Sequence, residues 1–146
     1  MTSRVTVAAA NAFLEQAFPG VSNRAQVTAM EDGRAAVRLE VSPENLRPGD
    51  YISGPTQMTL ADTVTYVAIF TRLGIVPMTV TTSLNISFLR PCIGKAVTAE
   101  ARLIKLGRQL AVAEVEIRAE GSSALASHAV VTYAIPPAES PTPTQR

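Results

Sequence analysis

The segment Ile52–Phe70 constrains the fold of this chain more than any other part of the sequence. It reads ISGPTQMTLADTVTYVAIF, is mostly apolar, and carries a single charge, on Asp62. Its length suits a membrane-spanning helix, but one carboxylate and several hydroxyl and amide groups make a span unfavourable. The segment therefore predicts a long helix that protein wraps on nearly every side, and we expect no membrane partner.

Strand patterns lie on both sides of this helix. The segments RAQVTAM and RAAVRLEV alternate apolar with polar residues, and Glu31–Arg34 between them is a hairpin signal. The helix is followed by MTVTTSLNISFL, AVTAEARLIKL, LAVAEVEIRA and ALASHAVVTYAI, with turns at Leu106–Arg108 and Glu120–Ser122. Short connections join antiparallel neighbours. The sequence thus predicts an α+β fold in which a curled antiparallel sheet of about six strands wraps the long central helix. One such sheet cannot cover the helix fully, so we expect a second subunit to cover the part that remains exposed.

The two ends of the chain differ in character. Apolar residues at helical spacing indicate an N-terminal amphipathic helix that ends at Pro19–Gly20. The residues of this stripe are Val5, Ala9, Ala12, Phe13 and Ala17. The last residues are polar and rich in proline, which is typical of disorder. We interpret residues 1–135 as a single domain and residues 136–146 as a disordered tail.

Composition excludes several classes of function. The 13 basic residues are balanced by 12 acidic ones without a basic cluster, so nucleic acid is not an expected partner. One cysteine, Cys92, and one histidine, His128, are too few soft ligands for a metal site. A lone cysteine forms no intramolecular disulfide, which fits a cytoplasmic location. Glycine-rich nucleotide loops and a G-x-S-x-G nucleophile elbow are both missing.

Two segments carry a resemblance to a known family. SGPTQMTLADTVTYVA resembles the HGG-x5-6-LADTA-type segment of hot-dog acyl-CoA thioesterases related to the phenylacetate-degradation (PaaI-like) enzymes, within the superfamily of 4-hydroxybenzoyl-CoA thioesterase. VTTSLNISFLRPCIGKAVTAEARLIKLGRQLAVAEVEI is similar to their third to fifth strands. The likeness spans about Ala25 to Ala134. It implies the hot-dog fold and hydrolysis of a small aromatic or a short- or medium-chain acyl-CoA, with coenzyme A as part of the substrate and no separate cofactor.

The resemblance also implies roles for particular residues. Asp62 matches a helix carboxylate that acts as general base for water or as nucleophile, and Gly54 matches a backbone N–H that polarises the thioester carbonyl. Thr81 or Ser83 lies where some members place a hydroxyl that assists the water.

Three positions depart from the family pattern. Ser53 stands where the family has histidine, Pro55 stands where it has a second glycine, and Arg47 stands where many members have asparagine or glutamine. Asn45 is close to that last position but two residues away. These departures leave open a non-catalytic acyl-CoA-binding or regulatory protein, or a structural domain without a ligand.

The residues at the start of the helix suit helix capping and limit which N–H groups can donate to a ligand. Ser53 is a good N-cap and Pro55 suits the first turn. Because proline has no N–H, an oxyanion donor here is Gly54 or Thr56. The alternative is ordinary capping with no ligand. For Asp62 the alternative is a buried aspartate satisfied by neighbouring threonine hydroxyls and backbone groups.

The spacing of the two main candidates predicts an oligomer. Gly54 and Asp62 are eight residues apart, which is about 12 Å along a helix. A reacting carbonyl needs its base or nucleophile within about 3–3.5 Å. Two antiparallel helices would bring Gly54 of one subunit to Asp62 of the other, so we expect a homodimer with two shared sites, arranged as a dimer of dimers.

Two arginines are candidates for contact with the phosphates of coenzyme A. Arg90 follows a predicted strand and Arg108 lies in a hairpin, where a guanidinium fork suits a phosphate. The alternative for both is surface charge or a structural ion pair. We interpret His128 as structural, and Cys92 has no neighbouring base in the sequence that would make it a nucleophile.

Overall fold

The structure is a computed structural model that describes residues 2–137 of the 146-residue chain. Its elements in chain order are α1 Val7–Ala17, β1 Gln26–Glu31, β2 Arg34–Glu40, β3 Leu46–Arg47, β4 Tyr51–Ile52, α2 Gly54–Leu73, β5 Val80–Phe88, β6 Ala96–Leu106, β7 Leu110–Ala119 and β8 Ser127–Ala134. A 3-10 turn, Pro43–Asn45, precedes β3. Most of the predicted tail, residues 138–146, lies outside the described residues.

The main sheet follows the predicted antiparallel plan. Its strand order is β1-β2-β6-β7-β8-β5, and every neighbouring pair is antiparallel. The helix α2 contacts all six of these strands, so the sheet curls around it. The predicted α+β architecture, a curled sheet around one long helix with an N-terminal helix added, is confirmed. The short β3–β4 hairpin was not predicted.

The helix α2 begins and ends where its sequence dictates. The Ser53 side chain accepts a hydrogen bond from the Thr56 N–H at 3.2 Å, and Gly74 ends the helix with a φ of 80°. Its buried side includes large, fully enclosed side chains: Leu60, Val64, Val67, Ile69 and Phe70. As expected, the sheet of one chain does not cover the helix completely. One stripe stays exposed or half-buried: Pro55, Met58, Thr59, Asp62 and Thr63.

The predicted stripe of the N-terminal helix is wrong at its three alanines, whereas its first residue, Val5, is buried. Ala9, Ala12 and Ala17 are exposed, whereas Ala10 and Leu14 are buried. Alanine has little apolar area, so the larger leucine decides which face turns to the core. The aromatic residue of the predicted stripe does pack inward: the Phe13 ring lies 5.6 Å from that of Phe70.

A β-bulge in β5 decides which of its hydroxyls face α2. Thr81 pairs with Tyr133 and Ser83 pairs with Thr132, so Thr82 is the extra residue. Directly opposed residues share a face, and successive residues alternate between faces. Thr81 therefore lies on the helix side with Tyr133, while Ser83 lies on the outer side.

The outer face of the sheet carries ion pairs. Glu114 accepts from Arg102 at 2.8 Å and lies 2.9 Å from the His128 ring. The hydrogen bond from His128, followed by that from Arg102, holds the pKa of the Glu114 carboxyl below its usual range. Exposed pairs of this kind stabilise a protein only slightly. Among residues 2–137, neither helix has both the length and the hydropathy needed to cross a bilayer.

Candidate active site

The Asp62 carboxylate is held by two hydroxyl groups from the sheet. The Tyr133 hydroxyl lies 2.8 Å from Asp62 Oδ1 and 2.8 Å from the Asp62 carbonyl oxygen. The Thr81 hydroxyl donates to the same Oδ1 at 2.5 Å. No hydrogen bond from the described part of the chain reaches Oδ2. The carboxylate is half-buried and is thus fixed through one oxygen, with the other oxygen left for a reacting group.

Tyr133 is built to remain a hydrogen-bond donor. Its side chain is 4% exposed, and its ring stacks on Tyr66 at 5.9 Å between centroids. Burial raises the pKa of the Tyr133 hydroxyl above its ordinary value of 10, and the negative charge of Asp62 adds to this effect. The hydroxyl therefore stays protonated at neutral pH.

Tyr133 was not among the residues singled out from the sequence. The alternation in β8 places it on a buried face with Ser127, Ala129 and Val131. That pattern predicts burial but does not reveal that the tyrosine meets a carboxylate 71 residues earlier in the chain. The pairing of β8 with β5 places Tyr133 opposite Thr81, and the hydroxyls of both residues reach Asp62 on α2.

At the start of α2 one backbone donor remains available. The Thr56 N–H is bound by the Ser53 side chain, and the Gln57 N–H by the Ser53 carbonyl. Pro55 has no N–H. The Gly54 N–H has no acceptor among residues 2–137. Of the two predicted oxyanion donors, Thr56 is therefore already engaged and Gly54 is free.

The structure keeps the two main candidates apart within one chain. Gly54 and Asp62 lie in one continuous helix, so they remain about 12 Å apart. A side chain at position 54 would also come within 3.3 Å of the Phe88 ring, so only glycine leaves this backbone open to approach. A single chain therefore offers a carboxylate and a backbone donor that do not meet.

Near the helix start the fold brings in Asn45 rather than Arg47. The Asn45 carbonyl accepts from the Ser53 N–H at 2.8 Å. Its side-chain Oδ1 accepts from the Ser42 N–H and from Asn23 Nδ2, both at 2.9 Å, which fixes the amide orientation. Arg47 is exposed and bonds weakly to a neighbouring carbonyl. The β3–β4 hairpin thus places the asparagine beside the capped helix.

A cavity of about 660 Å³ lies between α1 and α2, and we refer to it as the α1–α2 cavity. The candidate residues Pro55, Thr56, Asp62 and Thr81 line it, as does Tyr133. Its remaining walls come from α1 and the loop after it, β2, the 3-10 turn, α2, the loop before β5 and the first residue of β5: Leu14, Phe18, Val21, Asn23, Arg24, Ala25, Leu39, Asn45, Thr59, Leu60, Thr63, Tyr66, Pro77, Thr79 and Val80. The other predicted binding residues, Ser53, Ser83, Arg90 and Arg108, do not line it.

The two arginines lie at opposite ends of the sheet. Arg90 follows the end of β5, where its guanidinium donates to a backbone carbonyl at 2.5 Å. The exposed Arg108 lies in the β6–β7 hairpin, which is beside the start of β5 because Ala134 pairs with both Val80 and Leu110. One chain therefore does not bring these two candidate phosphate contacts together.

The remaining reactive groups are not part of this arrangement. Cys92 is buried, and burial raises the pKa of its thiol. His128 lies on the outer face with Glu114. Within the described range, no group of three or more His, Cys, Asp or Glu side chains is placed to hold a metal ion.

Comparisons with known proteins give a consistent result. The family model of the thioesterase superfamily matches residues 49–126. A candidate thioesterase from Silicibacter sp. TM1040 is 35% identical, with a TM-score of 0.85 over 94% of this chain and 96% of that chain. No curated protein sequence matches the chain.

Two further solved structures resemble this one. A mutant of the phenylacetic acid degradation protein PaaI from Thermus thermophilus is 27% identical, with a TM-score of 0.65 over 76% of this chain and 92% of that chain. A Streptococcus mutans protein bound to acetyl-CoA is 19% identical, with a TM-score of 0.69 over 80% of this chain and 92% of that chain, a likeness of fold alone.

Proposed function

Because the chain belongs to the thioesterase superfamily, we propose that it hydrolyses the thioester bond of an acyl-CoA. The observation that carries this proposal is the Asp62 carboxylate, which two hydroxyls hold through Oδ1 at the edge of a ligand-sized cavity. Because the carboxylate is held through one oxygen and lines the cavity, its other oxygen is accessible to water or to a thioester. The acetyl-CoA bound by the Streptococcus mutans neighbour supports the same substrate class.

In this proposal the free oxygen of Asp62 performs the chemistry. As a general base, Oδ2 takes a proton from water while the water oxygen attacks the thioester carbonyl carbon. As a nucleophile, Oδ2 attacks that carbon itself, and water then cleaves the resulting anhydride. In both routes the carbon–sulfur bond breaks, and coenzyme A leaves as a thiolate that gains a proton. The structure is compatible with either route.

Thr81 and Tyr133 act as positioning residues in this scheme. Both donate to Asp62 Oδ1, so they set the plane of the carboxylate and aim Oδ2. Tyr133 is buried and stacked, so it holds its position with little freedom. Preorganised groups of this kind lower the cost of reaching the transition state.

The oxyanion donor in the proposed site is Gly54 of a second subunit. Its N–H is free, lies at the positive end of the α2 dipole and is too far from Asp62 of the same chain. An exposed edge strand, β5, with exposed Val80 and Phe88 supports a dimer that forms along this edge. The further step to a dimer of dimers remains part of the proposal.

A non-catalytic acyl-CoA-binding protein is the second candidate. Ser53 and Pro55 replace residues that the family uses, and the Thr56 N–H is consumed by capping. The helix start therefore offers a single free donor, which suits binding as well as turnover.

Release of free thiol from a panel of acyl-CoAs separates the two candidates. We expect turnover in the wild-type protein and its loss in Asp62→Asn. The matched control is Asp50→Asn, because Asp50 is exposed and has a φ of 60°, a conformation that asparagine tolerates well. Tight binding without thiol release in the wild type would favour the binding protein, and full activity in Asp62→Asn would remove Asp62 from the chemistry.

A further inference from the structure

We propose that the α1–α2 cavity receives the apolar tail of the acyl group, and that α1 limits the length of the tail. The substrate would then carry a tail longer than acetyl. This inference rests on the proposed function for its choice of ligand, but binding of the tail is measured separately from hydrolysis.

The first argument is continuity between the carboxylate and the cavity. Asp62, Thr81 and Tyr133 line the same cavity as Leu14 and Phe18 of the α1 region. A thioester carbon held at Asp62 therefore sends one of its two substituents into this space. The substituent is either the acyl tail or the pantetheine arm of coenzyme A.

The second argument is the chemistry of the walls, which favours the tail. Apolar surface exceeds polar surface in the lining, in which Leu14, Leu39, Leu60 and Tyr66 lie among polar side chains such as Asn23 and Thr63. The pantetheine arm contains two amides, and such groups lose free energy against an apolar wall unless they find partners. An alkyl or aryl tail has no such requirement and gains from the loss of water.

The third argument is apolar surface left open in the cavity. Phe18 is 46% exposed and Val21 is 48% exposed, and both line the cavity. Exposed large hydrophobic side chains around a concave site mark a binding site for an apolar group. Because these side chains line the same cavity as the candidate catalytic carboxylate, we infer that the apolar group is the substrate tail.

The fourth argument is size. A volume of about 660 Å³ falls within the roughly 300–1,000 Å³ that enclose drug-sized ligands. An acetyl group would leave most of it empty. A longer apolar tail fills it.

The wall formed by α1 is held firmly enough to set a limit. Arg24 donates to the carbonyls of Leu14 and Phe18 at 2.9 and 2.6 Å, which caps the end of α1. On the same helix, the Asn11 amide bonds to the Val27 backbone through both its donor and its acceptor, at 3.0 and 2.8 Å. The Asn11 bonds tie α1 to β1, and the Arg24 bonds tie the end of α1 to the segment just before β1, so the end of the cavity does not open readily.

The expected effect is a dependence of affinity on chain length. Burial of one methylene contributes about 0.8 kcal/mol, which is roughly a fourfold change in Kd. We expect Kd to fall by up to about fourfold per added methylene until the tail meets α1. Beyond that length, affinity should stop rising.

The test exploits the absence of tryptophan from the sequence. A single indole is introduced by Val21→Trp in an Asp62→Asn background, so that it reports on the cavity while substrate is not consumed. The matched control is Val130→Trp in the same background, because Val130 is 38% exposed on the outer sheet face. Acetyl-, butyryl-, hexanoyl- and octanoyl-CoA and free coenzyme A are titrated, with calorimetry as an independent measure of binding and thermal melting as a check on folding.

The inference predicts that the emission of the indole introduced by Val21→Trp shifts to the blue with octanoyl-CoA, that it does not shift with free coenzyme A, and that the midpoint falls with chain length. The control should not respond. Equal shifts with free coenzyme A would place the pantetheine arm in the cavity and overturn the inference. Binding detected by calorimetry without an emission change would also overturn the inference, and so would the absence of binding by any acyl-CoA. An emission change that follows dissociation of the dimer and not the ligand concentration would overturn it as well. Hydrolysis by the wild-type protein is recorded separately, so chain-length-dependent binding without hydrolysis would overturn the proposed function alone.

Discussion

The hydroxyl of Tyr133 lies 2.8 Å from Oδ1 of Asp62, so the last strand of the sheet holds the only charged side chain of the central helix segment Ile52–Phe70. The carboxylate is half-exposed, is held through Oδ1 and lines the α1–α2 cavity.

Removal of the Tyr133 hydroxyl should reduce catalysis more than binding. Tyr133→Phe keeps the stacked ring but deletes a hydrogen bond to a charged group, which contributes about 1.5–3 kcal/mol. We expect kcat to fall roughly ten- to hundred-fold with KM little changed, measured by steady-state thiol release. Tyr51→Phe, at an exposed tyrosine outside the cavity, serves as the control. A rise in KM at constant kcat would show that Tyr133 acts on binding.

Thr81 and Ser83 should behave differently although they are two residues apart. The bulge at Thr82 turns Thr81 toward Asp62 and Ser83 to the outer face. Thr81→Ala should lower kcat about tenfold or more, and Thr81→Ser should restore it, because serine keeps the hydroxyl. Ser83→Ala should leave kcat within twofold, roughly the effect of a surface change. Equal losses in the two alanine variants would contradict the register of β5.

Alkaline stability should report on the buried Tyr133 hydroxyl. Its pKa is raised above 10 in the folded protein, whereas in the unfolded chain it ionises near 10. Above that pH the unfolded state holds fewer protons than the folded state, so the free energy of unfolding decreases as pH rises. Urea titrations between neutral pH and about pH 11 should show this decrease, with a smaller slope for Tyr133→Phe. Identical slopes in the two proteins would show that Tyr133 does not contribute.

Arg108 provides a test of coenzyme A recognition in the assembled protein. If its guanidinium contacts a phosphate, Arg108→Ala should raise KM for acyl-CoA several-fold, roughly the strength of an exposed charge contact. The same variant should leave KM unchanged for the matching acyl-pantetheine, which lacks the nucleotide phosphates. Equal changes for both substrates would assign Arg108 a structural role.

Local sequence patterns were sufficient to predict most of the fold. The segments AVTAEARLIKL and LAVAEVEIRA became β6 and β7 with unchanged bounds, because apolar and polar residues alternate along much of each segment, which is typical of a half-buried strand. Ser53 and Gly74 mark the ends of α2 because capping chemistry is local. The buried face of α1 could not be predicted from spacing, since its alanines offer almost no energetic preference.

The arrangement of the candidate site was less accessible from the sequence. Alternation alone cannot show the extra residue at Thr82, so it left Thr81 and Ser83 equivalent. It also could not show that Tyr133 reaches Asp62, since that contact depends on which strand covers which turn of the helix. Long-range contacts of this kind follow from topology and not from local pattern.

We propose that Asp62 of one subunit and the Gly54 N–H of the other form one site. Asp62→Asn removes the carboxylate, and Gly54→Pro blocks the donor half of the site, because proline has no N–H and its side chain fills the space that glycine leaves beside Phe88. Thiol release is measured for each folded homodimer and for the purified mixed dimer. We expect two inactive homodimers and a mixed dimer with about half the wild-type activity, because one of the two sites of the mixed dimer is intact. A verified mixed dimer as inactive as its parents would contradict the shared site.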